Sequence, residues 1–182
     1  QIASVVRLQS RAVEHDDARD ALNRTLDRII DVGRVHEQMY KADDAIGAFD
    51  AGRYTEALAQ DLVSSLGRDD VALETRIEHA VLDVKQAVPL ALILNELITN
   101  ALKYGCPPDR PSKIKVALGT DGELYRLSVA DDGEGLPKDF SPTKRRGLGM
   151  RAIEALARQL GGRFEIEQPK AGASFAVVFP RS

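Results

Sequence analysis

The hydrophobic period of this chain changes near residues 67–70, and that change separates two kinds of structure. Before it, apolar residues recur at helical spacing; after it, alternating runs are interleaved with two helical stretches. Ile2, Val5, Val6 and Gln9 continue a helix already under way at Gln1, and a polar break follows at residues 14–17. Ala18, Leu22, Leu26, Ile29, Ile30, Gly33 and His36 then return at helical spacing. Two helices around a short polar break make a helical hairpin. Such a pair buries little alone, so it is expected either to pair with a second copy as a four-helix bundle or to pack on its own chain. Residues 40–52 read as irregular. A further amphipathic helix is expected from Tyr54 to Leu66, with Ala57, Leu58, Leu62 and Leu66 on one face.

Beyond the change of period, residues 71–78 alternate as a strand and residues 80–84 as a second one. Val88-Pro89 is expected to open a long helix, with Pro89 in its first turn and Gly105 as its C-cap. Residues 113–118 and 124–130 read as strands around the Asp121-Gly122 turn. Residues 131–146 have no period. A helix from Gly147 to Leu160 stops at Gly161-Gly162, and residues 163–168 and 174–179 form a last strand pair.

The bulk composition excludes several classes. With 43% hydrophobic and 29% charged residues the chain reads as soluble and globular. A net charge of −3 supplies no basic face, so nucleic acid is not an expected partner. The lone cysteine, Cys106, rules out a disulfide framework and a multi-cysteine zinc site, in keeping with a reducing compartment. No apolar run approaches the ~20 residues that cross a bilayer, and no signal peptide is visible. A cytoplasmic location is therefore expected, with room for a sensor or membrane anchor ahead of Gln1.

Four elements carry the candidate chemistry. On the long helix, Glu96, Asn100 and Lys103 fall at i, i+4 and i+7, on one side of an apolar stripe of Leu90, Leu94, Leu97 and Ala101. An acid, an amide and a base on one face suit a polar ligand, and they equally suit a plain solvated surface. Next, Asp131-Asp132-Gly133-Glu134-Gly135 follows an apolar strand. A carboxylate there can accept a hydrogen bond from an amine, and the glycines let the backbone approach a ligand; Asp-Gly pairs are also ordinary turns. Third, Arg146-Gly147-Leu148-Gly149 opens a helix, where free N–H groups and the helix dipole favour phosphate. Fourth, Gly172-Ala173-Ser174-Phe175 precedes the last strand.

Each element is weak alone, and their order and spacing are far more specific. Together they resemble the ATP-binding domain shared by gyrase, Hsp90, sensor histidine kinases and the mismatch-repair ATPase MutL, over roughly residues 68–182. That resemblance implies an α+β chain: an N-terminal two-helix hairpin over 1–67, then an α/β sandwich over 68–182 with a mixed sheet and helices on one face. It implies ATP and Mg²⁺ as ligands, with Asn100 holding the metal. Asp131, Gly133 and Gly135 would take the adenine, and Arg146, Gly147, Leu148 and Gly149 the phosphates. Lys103 is similar to the family's basic residue near the phosphates. Residues 136–146 then look like a lid whose Lys144, Arg145 and Arg146 could reach phosphate oxygens; a basic surface loop would look the same. The chain departs from the family at Ala173, where a threonine hydroxyl often supports the adenine-binding aspartate. Ser174 or a water is the expected substitute.

Residues 1–11 and 29–40 resemble the dimerisation and phosphotransfer hairpin of the HWE-related sensor kinases, the second HisKA type. Gln1 looks like the last residue of that group's acceptor stretch, which puts the phosphoacceptor histidine about two helical turns before it. Among the histidines present, His15 reads as a surface residue, His79 as structural or exposed, and His36, beside Glu37, is the fallback acceptor. The resemblance implies transfer of the γ-phosphoryl to that histidine and then to the receiver aspartate of a response regulator, with Glu96 as orienting group or base. A homodimer through the hairpin is expected. The competing readings are a phosphotransfer or phosphatase scaffold with a degenerate ATP fold, and an anti-sigma-factor serine kinase.

Overall fold

The computed structural model describes residues 48–65, 70–136, 148–167, 169 and 171–181. The helical hairpin expected before Ala48, with His15 and His36, lies outside them, as do Lys144, Arg145, Arg146 and Gly147. The compact unit to which the described residues belong begins at Ala45.

A short strand β1 (Ala48–Asp50) leads into helix α1 (Ala51–Ser65), followed by β2 (Val71–Ile77) and β3 (Val81–Asp83). Helix α2 (Val84–Asn100) ends in a single π turn, Ala101–Gly105, before β4 (Ser112–Asp121) and β5 (Leu124–Asp131). Helix α3 (Leu148–Gln159), β6 (Arg163–Glu167) and β7 (Ser174–Pro180) complete the unit. The five-stranded sheet runs β2-β4-β5-β7-β6, and β1 pairs with β3 apart from it. The β2–β4 pair is parallel, and β4–β5, β5–β7 and β6–β7 are antiparallel. The sheet is therefore mixed, as expected. The parallel pair needs a long crossover, and α2 lies within it.

The period of two decides which face is covered. Ile114, Val116 and Leu118 on β4, Leu127 and Val129 on β5, and Val177 and Phe179 on β7 are all essentially inaccessible. The registers Val116↔Val129 and Leu127↔Val177 put them on one face. Against it packs α2, flanked by α1 and α3. A helix with neighbours on both sides is buried widely, and Leu90, Ala91, Ile93, Leu94, Leu97 and Ile98 are all sealed. Each such Leu or Ile contributes about 1.5–3 kcal/mol, so Leu94→Ala is the kind of change that would break this layer. On the other face Arg126 reaches across β7, over Ala176 and Val178, to Glu165 at 2.6 Å and Glu167 at 2.5 Å on β6. That strap leaves Ala176 and Val178 buried on an otherwise polar face, and the guanidinium holds the Glu165 carboxyl below its usual range.

Three boundaries differ from expectation. Residues 40–52 were expected to be irregular, but β1 forms there and α1 starts at Ala51. The long helix begins at Val84, not Val88. The Asp83 carboxylate accepts from Lys85 N–H at 2.7 Å, and Gln86 Oε1 accepts from Asp83 N–H at 3.2 Å, a reciprocal capping box. Pro89 therefore sits inside the helix. Gly105 is not a left-handed C-cap either: the helix widens to i→i+5 bonding, and Gly105 keeps a negative-φ or extended backbone. The far end of α3 behaves as expected. Gly161 at φ 74° closes a Schellman pattern, with Gly162 N–H on Ala157 O and Gly161 N–H on Arg158 O, both 2.9 Å. No helix among the described residues is long and apolar enough to cross a membrane.

Candidate functional site

Asp131 is the last residue of β5, on the helix-covered face, and is buried. Its Oδ1 accepts from Gly133 N–H at 3.0 Å and from Ala173 N–H at 3.2 Å, and its own N–H donates to Ala173 O at 3.0 Å. Burial raises the Asp131 pKa above the ordinary carboxylate value; the two N–H donors pull against it, and the neighbouring Asp132 adds to it. A carboxylate in that position is stabilised further by any donor brought to it.

Glycines build the walls. A Cβ on Gly105 would run into the Asp131 side chain, and one on Gly172 would strike the Asp131 carbonyl oxygen. A Cβ on Gly133 would strike Gly105 O, and one on Gly135 would lie 2.9 Å from Gly172 O. Gly135 and Gly172 also hold φ of 82° and 73°, a region L side chains rarely adopt. The turn after β5, the π turn after α2 and the turn before β7 are thus locked around one carboxylate. Sequence reasoning missed two supports. Arg110 Nη2 donates to Asp132 O at 2.7 Å, and Asp132 Oδ1 accepts from Lys113 N–H at 2.9 Å. Neither pair has a local spacing signature, because 22 and 19 residues separate the partners.

At the other end of the site, Glu96 is buried and Asn100 half-buried on the last turns of α2. Lys103 and Tyr104 are exposed on the π turn, Tyr104 at 81%. The wider turn moves Lys103 off the azimuth that a continuous α-helix would give it. A Cβ on Gly149, the second residue of α3, would run into Glu96 Oε1 and come within 2.8 Å of its Cδ. Glu96 and Gly149 are therefore brought together, as are Gly105, Asp131, Gly133 and Gly135. Leu148 is the first residue of α3. Ser174 stands apart: its hydroxyl donates to Glu167 at 3.2 Å, on the opposite sheet face from Asp131. Ala173 meets Asp131 through its main-chain N–H alone. His79 is largely exposed, 3.7 Å from the Asp50 carboxylate.

Among the described residues no three His, Cys, Asp or Glu side chains cluster as a metal cage. A lone amide such as that of Asn100 suits Mg²⁺, which takes one or two protein oxygens and completes its shell with water and phosphate.

Comparison with known proteins agrees with this arrangement. Residues 85–182 match the family described as histidine kinase-, DNA gyrase B- and HSP90-like ATPase, and residues 1–66 match the HisKA_2 histidine kinase family. The blue-light-activated histidine kinase 2 of Erythrobacter litoralis is 25% identical over 191 residues, covering 100% of this chain and 53% of that protein. The sensor histidine kinase PdtaS of Mycolicibacterium smegmatis is 24% identical over 97% of this chain and 36% of its own length. The chain thus spans about half or less of these relatives. The structure of the histidine kinase domain from an Erythrobacter litoralis blue-light activated histidine kinase superposes with a TM-score of 0.74 at 24% identity, covering 99% of this chain and 86% of that one. The catalytic domain of histidine kinase ThkA gives 0.62 at 19% identity, over 76% of this chain and 98% of that one. With the family match covering more than half of its length, the chain belongs to the histidine kinase-, DNA gyrase B- and HSP90-like ATPases.

Proposed function

We propose that the chain is the kinase core of a two-component sensor. It binds Mg-ATP, passes the γ-phosphoryl to a histidine that the resemblance puts ahead of Gln1, and from there to the receiver aspartate of a response regulator. The observation that carries this reading is the buried Asp131 carboxylate. Main-chain N–H groups occupy its Oδ1, which leaves its other oxygen as an acceptor for an incoming donor, such as the exocyclic amine of adenine.

Phosphoryl transfer depends on positioning and charge neutralisation. The start of α3 would offer helix N-terminal N–H groups to the phosphates, with Gly147, Leu148 and Gly149 as the expected approach and Lys103, Lys144, Arg145 and Arg146 as the expected positive charges. Asn100 would hold Mg²⁺, which supplies charge neutralisation across the phosphate oxygens. Glu96, one turn before Asn100, orients or deprotonates the acceptor imidazole. Dimerisation would run through the N-terminal helical hairpin, and a cytoplasmic location would give access to ATP. The HisKA_2 match favours a histidine over a serine acceptor, and the intact main-chain bonds to Asp131 from Gly133 and Ala173 support a working site over a degenerate one.

Titration with Mg-ATP tests the reading. Micromolar binding that collapses in Asn100→Ala is expected, together with a phosphoenzyme, in a chain extended through the acceptor, that is labile to acid and stable to base. An acid-stable, base-labile product would replace it with the serine-kinase reading. The 182-residue chain alone is expected to take no phosphate on His15, His36 or His79, which phosphopeptide mapping checks.

A further inference from the structure

We propose that Glu96 closes the phosphate end of the site in the nucleotide-free protein: its carboxylate sits on the first turn of α3, so a nucleotide's phosphates must displace it, and that displacement releases it toward the acceptor. This rests on the start of α3 being the phosphate end of a nucleotide site.

Three observations converge on the contact. Glu96 is buried on α2, and a buried carboxylate persists only where donors or positive charge meet it. Gly149, in the first turn of α3, lies so close that even a methyl group would collide with Oε1 and crowd Cδ and Cγ at 2.8 and 3.4 Å. That first turn also carries no acidic residue of its own. The contact puts that carboxylate beside the first turn of α3, where helix N–H groups and the positive end of the dipole favour negative charge.

Phosphate and carboxylate are then rivals for the same N–H groups. A nucleotide that carries phosphates must break the Glu96 contact, whereas adenosine, bound at Asp131, need not. By linkage, whatever the contact takes from ATP affinity is what ATP contributes to freeing Glu96. The orienting group is held back until the nucleotide that can react is in place. Simple charge repulsion between Glu96 and phosphate would also weaken ATP binding, but it would not protect the first turn of α3 when no nucleotide is present.

The experiment combines amide hydrogen exchange over residues 149–151 of the nucleotide-free chain with titrations of adenosine and Mg-ATP, for wild type, Glu96→Gln and Gly149→Ala. Exchange in the first turn of α3 is expected to quicken in both variants, since Gly149→Ala pushes the carboxylate away while keeping its charge. ATP affinity is expected to rise about three- to tenfold in Glu96→Gln, with adenosine affinity unchanged. Unaltered exchange in Gly149→Ala and Glu96→Gln would overturn the contact, and a gain in adenosine affinity equal to that for ATP would overturn the rivalry. A wild-type chain that binds neither ligand would overturn the nucleotide reading itself, and this role with it.

Discussion

At the Asp131 end of the site nearly every contact is made by main chain; at the Glu96–Asn100 end the same work falls to side chains on helices. Asp131 is held by the N–H groups of Gly133 and Ala173, and its surroundings are glycine backbone. Glu96 and Gly149 meet through the tip of a side chain that can rotate away. Main chain cannot yield without moving a strand or a turn, while a glutamate tip yields at little cost. On the proposed reading the first end suits fixed recognition, and the second rearrangement around a ligand.

The sharpest way to break that contrast is Gly172→Ala. The new Cβ would meet the Asp131 carbonyl oxygen in a left-handed backbone, at a cost of about 3 kcal/mol or more. A melting temperature lower by about 10 °C is expected from a thermal scan, with nucleotide binding lost. A wild-type-like scan would show the Asp131 end to be as adjustable as the other. Asn100→Ala comes next. It should cost Mg-ATP about 100-fold in affinity while leaving adenosine within twofold, as isothermal titration would show; equal losses for both ligands would mean that the two ends are not separable.

Asp131→Asn keeps an oxygen for Gly133 and Ala173 but turns the other atom into a donor. Adenosine and ATP should each bind about tenfold more weakly or worse, since a hydrogen bond to a charged group contributes roughly 1.5–3 kcal/mol. Stability should move the other way. Burial raises the Asp131 pKa in the fold, so the folded state holds its proton longer than the unfolded one, and stability falls as pH rises through the carboxylate range. The Asn variant escapes that loss and should melt at or above wild type at neutral pH. Nucleotide affinity of the wild type should weaken on acidification toward the raised pKa, while Asp131→Asn shows a flatter profile. The smallest effect is expected for Arg110→Ala, which removes the clamp on the Asp132 carbonyl. A two- to fivefold loss for adenosine and ATP alike, about 0.5–1 kcal/mol, with an unchanged melting temperature, would place Arg110 as a positioning residue of the fixed end.

The fixed end was also the more legible in sequence. Asp131 and its glycines announce themselves by residue type at the end of an apolar strand, and the alternation of β4 and β5 gave their face directly. At Ala173 only the side chain can be judged from sequence; the N–H that meets Asp131 belongs to every residue but proline, so residue type does not announce that bond. Ser174 was misjudged for the same reason in reverse, since the pleat, and not proximity in sequence, turns its hydroxyl toward Glu167. The start of α2 was hidden because residues 80–84 alternate like a strand and Pro89 imitates a first-turn proline. The Asp83/Gln86 pair that sets the true start is a local signal that was legible. β1 is too short to carry a period, and its pairing with β3 is decided by tertiary contact. Gly105 was recognised as special, but its reason is the Asp131 side chain, and nothing near it in sequence says so.

The π turn has a consequence for how this chain can change over generations. An i→i+5 ring holds one residue more than the i→i+4 ring it replaces, so residues 101–105 act as a ruler one unit too long for an ordinary helix. Asn100 and Gly105 serve opposite ends of the site, and this ruler sets the span between them. Deleting a single residue within it would let the helix relax to its regular form, swing Gly105 away from Asp131 and detach one end of the site from the other. Substitution of the exposed Tyr104 is therefore more readily tolerated than any change in the length of this stretch, while Gly105 tolerates neither a side chain nor a shift.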